Sequence, residues 1–116
     1  MAEPISARMA ESLMIRVDQD GDALAIRAEG ELDLASASAL EDALLHALDG
    51  GAASIILDLT AVSFIDPAGL RLLLWADAQS RRDGGRLRID CGAGAVRRMV
   101  ELSGVGDSLP AVGKPA

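Results

Sequence analysis

The residues with the most potential for chemistry lie in the sequence DPAG at positions 66–69, between an apolar segment and a leucine-rich run. An aspartate followed by a proline is typical of a helix start. Asp66 can cap the free backbone N–H of residue 68 or 69, and Pro67 then takes the first helical position. A helix start also suits phosphate chemistry, but no hydroxyl follows the aspartate. Because Ala68 and Gly69 have almost no side chain, we expect a backbone open to close approach by another surface.

The other chemistry-bearing residues do not match the pattern of a known active site or metal site. His46 is the only histidine and Cys91 the only cysteine, so the usual zinc site cannot be assembled. A Ser-His-Asp triad would have to use His46, which lies in the middle of a predicted helix with no nucleophile motif nearby. The acidic stretch at 18–22 lacks the spacing of a calcium loop, and the glycine-rich stretch at 91–95 lacks the lysine of a phosphate-binding loop. The sequence therefore predicts no catalytic residue, no metal and no cofactor.

Composition limits the classes of partner. The chain has 116 residues, a net charge of −7 and only one Phe and one Trp, which argues against phosphate backbones, anionic lipids and base stacking. Arg81, Arg82, Arg86 and Arg88 form a local basic cluster, typical of a solvated surface or of contact with an acidic partner. No apolar run is long enough to span a bilayer and no signal peptide is visible. We expect a cytoplasmic protein without nucleic-acid binding or membrane insertion.

Hydrophobic periodicity predicts one α/β domain over residues 12–110, between a flexible N-terminal extension (1–11) and a C-terminal tail (111–116). The predicted strands cover residues 12–17, 23–29, 54–59 and 86–91, and the predicted helices cover residues 36–49, 67–82 and 93–103. The strand at 54–59 is almost continuously apolar, which favours burial on both faces. A short extended piece is expected near the C-terminus. This order is typical of a small mixed β-sheet of four or five strands with three or more packed helices.

The helix predicted at 67–82 has apolar residues in nearly every direction around its axis. Leu70, Leu73 and Leu74 share a face that we expect to pack on the sheet. The same spacing leaves Leu72 and Trp75, together with Ala76, exposed to solvent or a partner. A helix wedged between two other elements is an equally good interpretation.

Three ordered segments carry a family resemblance. They are GELD at 30–33, IILDLTAVSFIDPAGLRLLL at 55–74 and LSGVGD at 102–107. Together they resemble the STAS domain, and most closely the bacterial anti-sigma factor antagonists, over residues 12–110. The resemblance implies the same small mixed sheet with packed helices.

The resemblance also implies a function. Such antagonists bind an anti-sigma factor with serine-kinase activity and thereby release a sigma factor for transcription. The kinase inactivates them by phosphorylating a Ser or Thr in an Asp-Ser-[Ser/Thr]-Gly sequence. Matched to that pattern, Asp66 and Gly69 keep the family residues, Ala68 takes the phosphoacceptor position, and Asp33 matches the family aspartate of a nearby loop. Alanine cannot carry a phosphoryl group, so that switch is absent at residue 68.

We therefore expect a non-enzymatic protein-interaction module, a monomer or weak dimer, whose partner is an anti-sigma factor with a serine-kinase fold. The expected partner-binding residues are Asp33, Leu34, Ala35, Ser36, Phe64, Asp66, Pro67, Ala68, Gly69, Arg71 and Leu72. Ser63 is a possible substitute phosphoacceptor, as are Ser36 and Ser38. Two alternatives remain open: a STAS subunit of a lipid-transport ABC complex, and a scaffold unit of a stressosome-like sensory assembly.

Overall fold

The computed structural model describes residues 2–105, which form five strands and three helices. The strands are β1 (Glu3–Ala10), β2 (Leu13–Asp20), β3 (Ala23–Leu32), β4 (Ser54–Ile65) and β5 (Leu87–Asp90). The helices are α1 (Ala37–Asp49), α2 (Pro67–Arg82) and α3 (Ala95–Ser103). The predicted helices and four of the strands are confirmed to within a few residues, except that β4 runs six residues further, to Ile65. The extended piece expected near the C-terminus lies outside the described residues.

The strands form one mixed sheet in the order β1-β2-β3-β4-β5. The first three strands are antiparallel, and β3, β4 and β5 are parallel. Helices α1 and α2 supply the two crossovers between the parallel strands. Right-handed crossovers that step in the same direction along a sheet place their helices on the same face. The α/β fold class predicted from the sequence is confirmed.

The N-terminal segment departs from the sequence-based expectation. The prediction of a loose extension is wrong for residues 3–10, which form β1 and pair with β2. This strand lies at the edge of the sheet, and residues 3–9 are exposed. A register shift between Pro4 and Ser6 interrupts its alternation. An exposed edge strand with a bulge has no hydrophobic period, so periodicity could not reveal it.

The core lies between the helices and one face of the sheet. Along β4, Ile55, Leu57 and Leu59 are fully buried, whereas Ile56 between them is 46% exposed. The prediction that this strand is covered on both faces is therefore wrong. Its apolar run reads as continuous because Ile56 is an exposed hydrophobic residue on the uncovered face.

Helix α2 buries a different stripe from the one predicted. The stripe consists of Gly69, Leu72, Leu73, Ala76, Asp77 and Ser80. The expected exposure of Leu72 and Ala76 is wrong, because they are 7% and 0% exposed, whereas the burial of Leu73 is confirmed. Leu70, Leu74 and Trp75 are partly buried. The helix packs on β4 and β5 and also against α1, so its apolar arc is wide. This agrees with the wedged-helix interpretation.

Arg86, one of the four arginines of the predicted basic cluster, binds groups of the protein itself. Its guanidinium donates to the backbone oxygens of Leu48 at 2.6 Å and Ala52 at 2.5 Å, and pairs with Asp83. It thereby joins the end of α1 and the following loop to the start of β5. Within residues 2–105, no helix has the length and apolarity needed to cross a bilayer.

Candidate protein-binding site at the start of helix α2

Asp66 lies between the end of β4 and the first turn of α2, and all its observed bonds are to backbone. Its own N–H donates to Leu32 O at 3.2 Å. Its Oδ1 accepts from the N–H of Gly69 at 3.0 Å, and its Oδ2 accepts from the N–H of Leu34 at 3.1 Å. The predicted N-cap is confirmed, with Pro67 in the first helical turn. The bond to Leu34 was not predicted, since it joins two loops that are distant in sequence.

The loop between β3 and α1 is closed by its own polar side chains. Asp33 Oδ1 accepts from the N–H groups of Ala35 at 3.0 Å and Ser36 at 3.2 Å. The hydroxyl of Ser36 is fully buried, donates to Glu31 O at 2.9 Å and accepts from the Asp33 N–H at 3.1 Å. Ser36 takes the N-cap position but makes no side-chain cap bond. Asp33 and Ser36 therefore shape the loop, and Leu34 is left at its outer surface.

Parallel pairing brings the two loops to one edge of the sheet. Strands β3 and β4 end together, with Leu32 paired to Ile65. The next residues of each chain segment then leave the sheet side by side. The Asp66–Leu34 bond joins them directly, so the loop at 33–36 and the start of α2 form one continuous surface.

The structure separates the expected contact residues into three groups. Leu34, Ala35, Phe64, Pro67 and Arg71 are exposed; Asp33, Asp66 and Ala68 are partly exposed; Ser36, Gly69 and Leu72 are buried. Leu34 and Phe64 are 76% and 48% exposed and supply the large apolar area. We call the eight exposed and partly exposed residues the tip surface. The three buried residues cannot touch a partner in this conformation.

Gly69 shows why part of the sequence-based expectation is wrong. A Cβ at this position would lie 2.6 Å from Ile65 Cγ1 and 2.9 Å from Leu32 O. Because Gly69 has no side chain, β3 and β4 of the protein itself pack directly against it. The prediction that another surface approaches this residue is therefore wrong. Pro67 and Ala68, on the outer side of the same turn, remain accessible.

A shallow groove of about 220 Å³ extends the tip surface toward α3. Its lining includes Ser63 and Phe64 on β4 and Met99 and Leu102 on α3. Leu102 is 80% exposed, and no contact residue was predicted in the helix expected at 93–103. Val96 and Val100, four residues apart, define the buried side of α3. Leu102 does not continue this spacing, and that could have indicated its exposure. The hydroxyl of the exposed Ser63 donates to Gly30 O at 3.2 Å.

A second groove lies away from the tip surface. This groove has a volume of about 730 Å³ and lies between β1 and α1, at the edge of the sheet opposite to β5. Most of the residues that line it are apolar. Among residues 2–105, no three His, Cys, Asp or Glu side chains are grouped so that they could hold a metal ion.

Comparison with known proteins agrees with this fold. The family model described as "Mlab, STAS domain" matches residues 15–112. An anti-sigma factor antagonist from Mycobacterium paratuberculosis is 24% identical, with 92% of this chain and 90% of that chain covered and a TM-score of 0.73. The anti-sigma factor antagonist SpoIIAA in its unphosphorylated form is 23% identical, with 88% of each chain covered and a TM-score of 0.67.

SpoIIAA of Bacillus, described as a cell fate determinant, has also been solved in its phosphorylated form. That structure is 22% identical, with 88% of this chain and 91% of that chain covered and a TM-score of 0.63. At these identities the structures demonstrate a shared fold, and the family match covers most of the chain. The chain belongs to the STAS domain family, and its structural neighbours include anti-sigma factor antagonists.

Proposed function

We propose that this protein is a non-enzymatic anti-sigma factor antagonist that binds an anti-sigma factor of serine-kinase fold through its tip surface. The observation that carries the proposal is the bond from the Leu34 N–H to Asp66 Oδ2. It joins two loops into one surface that presents Leu34, Phe64 and Pro67 to solvent. A surface organised before binding loses less conformational entropy when a partner docks.

The tip surface has the composition of a protein-binding patch. Leu34 and Phe64 provide apolar area that would be desolvated at the centre of an interface, and Arg71 lies exposed at its rim. The carboxylate of Asp66 is held by two backbone N–H groups. Asp66 therefore defines the shape of the patch and is a poor candidate for a reacting group.

The phosphorylation that inactivates other antagonists of the family has no acceptor at the start of α2. Neither Pro67 nor Ala68 has a hydroxyl, so the first turn of α2 cannot accept a phosphoryl group. Phosphorylation would add nearly two negative charges at a docking surface and repel a partner. We propose that the antagonist is constitutively active at this site. Ser63 is exposed beside Phe64 and is the substitute acceptor to examine.

Binding can be tested by isothermal titration with anti-sigma factor kinases of the source organism, identified by co-purification and mass spectrometry. We expect Leu34→Asp and Phe64→Asp to weaken binding by about tenfold or more each, because each places a charge in a desolvated contact. Leu45→Asp is the matched control, because Leu45 is 42% exposed on α1, outside the tip surface. The proposal is wrong if no kinase of this class binds, or if the control weakens binding equally.

The missing phosphoacceptor can be restored separately. The double variant Pro67→Ser with Ala68→Ser recreates the family sequence Asp-Ser-Ser-Gly. We expect the cognate kinase to label this variant and to leave the wild-type chain unlabelled. Labelling of the wild type would instead show another acceptor, and Ser63→Ala would then identify whether it is Ser63.

A second candidate is the STAS subunit of a lipid-transport ABC complex. The observation that favours it is the name Mlab in the matching family description, which none of the antagonist structures carries. Such a subunit would dock on an ATPase through the same helix. Capture of an ABC ATPase, with no anti-sigma factor, would replace the leading proposal with this one. The Leu34→Asp and Phe64→Asp variants would be expected to weaken that complex as well.

A further inference from the structure

The sheet face opposite α1 and α2 carries charged side chains in two adjacent rows across four strands. The first row runs from β2 to β5 through Asp18, Ala25, Ile56 and Arg88. The second row runs through Arg16, Arg27, Asp58 and Asp90. We call these eight residues the open face. Ile56 and all three arginines are exposed on it, so within residues 2–105 no element covers this face.

The second row places like charges side by side. Arg16 is directly opposite Arg27, and Asp58 is directly opposite Asp90. Like charges opposite each other on neighbouring strands destabilise a sheet. Among the described residues, none of these arginines forms an ion pair. Arg27 and Asp58, which are opposite charges on neighbouring strands, lie between these two pairs, but neither like-charged pair is relieved by an ion pair, which points to a gain outside the chain.

The two aspartates of the second row are held in fixed orientations. Asp58 Oδ1 accepts from the N–H of Thr60 at 2.9 Å and from its hydroxyl at 2.6 Å. Asp90 Oδ1 accepts from the N–H of Gly92 at 3.0 Å. An acidic half of the row therefore lies on β4 and β5, beside a basic half on β2 and β3.

The charge balance of the open face narrows the class of partner. Within these two rows three arginines and three aspartates cancel, whereas the rows on either side add the exposed carboxylates of Asp20 and Glu29. Two rows of zero net charge, each with its acidic and basic residues on different strands, are complementary to a second copy of themselves.

We propose that the open face is a homodimer interface whose two-fold axis runs along the strands, between β3 and β4. This operation lays β2 over the partner's β5 and β3 over the partner's β4. Arg16 then faces the partner's Asp90, and Arg27 faces the partner's Asp58. In the other row, Asp18 faces the partner's Arg88.

All charged pairings in these two rows are then favourable, and the apolar pair at the centre also matches. Ala25 faces the partner's Ile56, whose side chain is 46% exposed in the single chain. Sheets that pack face to face keep their strands within about 30° of each other and lie about 10 Å apart. The two-fold axis proposed here satisfies that geometry.

The size of the open face sets the expected affinity. Four strands spaced about 4.8 Å apart and two rows spaced about 6.7 Å apart along the strands give an area of about 250 Å², which is small beside the roughly 800 Å² per partner of a standard interface. We expect a weak dimer, with a Kd in the micromolar to millimolar range. The tip surface lies beyond the ends of β3 and β4 and stays free, so the dimer is independent of the proposed function.

Charge reversal in trans tests the interface. By sedimentation equilibrium, the average mass of the wild-type chain should rise with concentration from 12.0 kDa toward twice that value. Arg27→Asp and Asp58→Arg should each weaken self-association by about tenfold or more, because each faces like charge across the axis. An equimolar mixture of the two variants should recover the wild-type mass curve, because both cross-axis pairs are then of opposite charge.

The mixing step separates the interface from effects within the chain. Arg27 and Asp58 are also neighbours in their own sheet, so each variant can lose stability by itself, but mixing cannot repair that loss. If either variant does not fold, Arg16→Asp and Asp90→Arg repeat the test at the outer pair. A wild-type chain that stays monomeric at every concentration overturns the proposal. The proposal is also overturned if the variants associate as strongly as the wild type, or if mixing them does not restore the wild-type association.

Discussion

The carboxylate of Asp66 and the backbone N–H of Leu34 lie 3.1 Å apart, although the two residues are 32 positions apart in the chain. The bond joins the loop after β3 to the start of α2. The same carboxylate caps Gly69 with its other oxygen. One side chain thus fixes both the helix start and the loop that presents Leu34.

Replacing Asp66 separates these two roles. We expect Asp66→Ala to lower the free energy of unfolding by about 1–2 kcal/mol, because it removes the cap and leaves the Leu34 N–H without its acceptor. Asp66→Asn retains one acceptor oxygen and is a good N-cap, so it should recover about half of that loss. Urea unfolding monitored by circular dichroism measures both values. Equal stability of Asp66→Ala and wild type would show that these bonds contribute nothing net.

Gly69 should not tolerate a side chain. We expect Gly69→Ala to lower the free energy of unfolding by about 1–3 kcal/mol, because its Cβ would collide with Ile65 and the Leu32 carbonyl. Gly51→Ala is the matched control, since nothing lies within 4 Å of a Cβ at that position. Thermal unfolding compares the two variants. An unchanged melting temperature for Gly69→Ala would contradict the close packing described here.

Arg86 should not be replaceable by lysine. The guanidinium reaches the backbone oxygens of Leu48 and Ala52 and the carboxylate of Asp83 at once, and a lysine ammonium cannot reproduce that planar geometry. We expect Arg86→Lys to lower the free energy of unfolding by about 1–3 kcal/mol. Arg82→Lys, at an exposed position in the same cluster, should change it by less than about 0.5 kcal/mol. Denaturant titration of both variants tests the difference.

Cys91 should make stability dependent on pH in an alkaline range. Burial raises the pKa of its thiol from 9.0 to about 11, with Arg97 opposing the shift. Because the folded-state pKa is the higher one, the stabilisation is fully present below pH 9 and is lost as the pH rises from 9 through 11. The chain has no tyrosine, and its single lysine is Lys114, so few other groups titrate in that range.

Urea unfolding of the wild type between pH 8 and 11 should therefore show a fall in stability of about 2–3 kcal/mol. Cys91→Ala is the control, and it should be less stable at pH 8 because it leaves a small cavity, but with a flatter pH profile. A wild-type profile parallel to that of Cys91→Ala would show that the thiol does not carry the dependence.

The sequence correctly predicted those features of α2 that depend only on residues close together in the chain. The cap at Asp66, the first-turn position of Pro67 and the span of α2 depend on neighbouring residues and were predicted from them. The mixed sheet followed from the order of strands and helices. The Asp66–Leu34 bond was beyond that reasoning, because it depends on β3 and β4 ending at the same edge.

The errors have physical causes in particular residues. The buried stripe of α2 was misplaced because Gly69 and Asp77 were not counted as buried positions. Gly69 packs on Leu32, and Asp77 is buried with an ion pair to Arg81 at 3.1 Å. The surface residue Leu102 was missed because a hydrophobic residue in an amphipathic helix is normally assigned to the core.

The one-sided placement of α1 and α2 limits how far self-association can proceed. A chain added to a sheet edge exposes a new edge, so growth there can continue without limit. At the β1 edge, Pro4 lacks an N–H and a register shift follows it, which are features that discourage strand addition. Residues 2–105 leave one sheet face uncovered, and pairing two copies through this face covers it in both. Association on that face therefore terminates at two copies and cannot produce fibres.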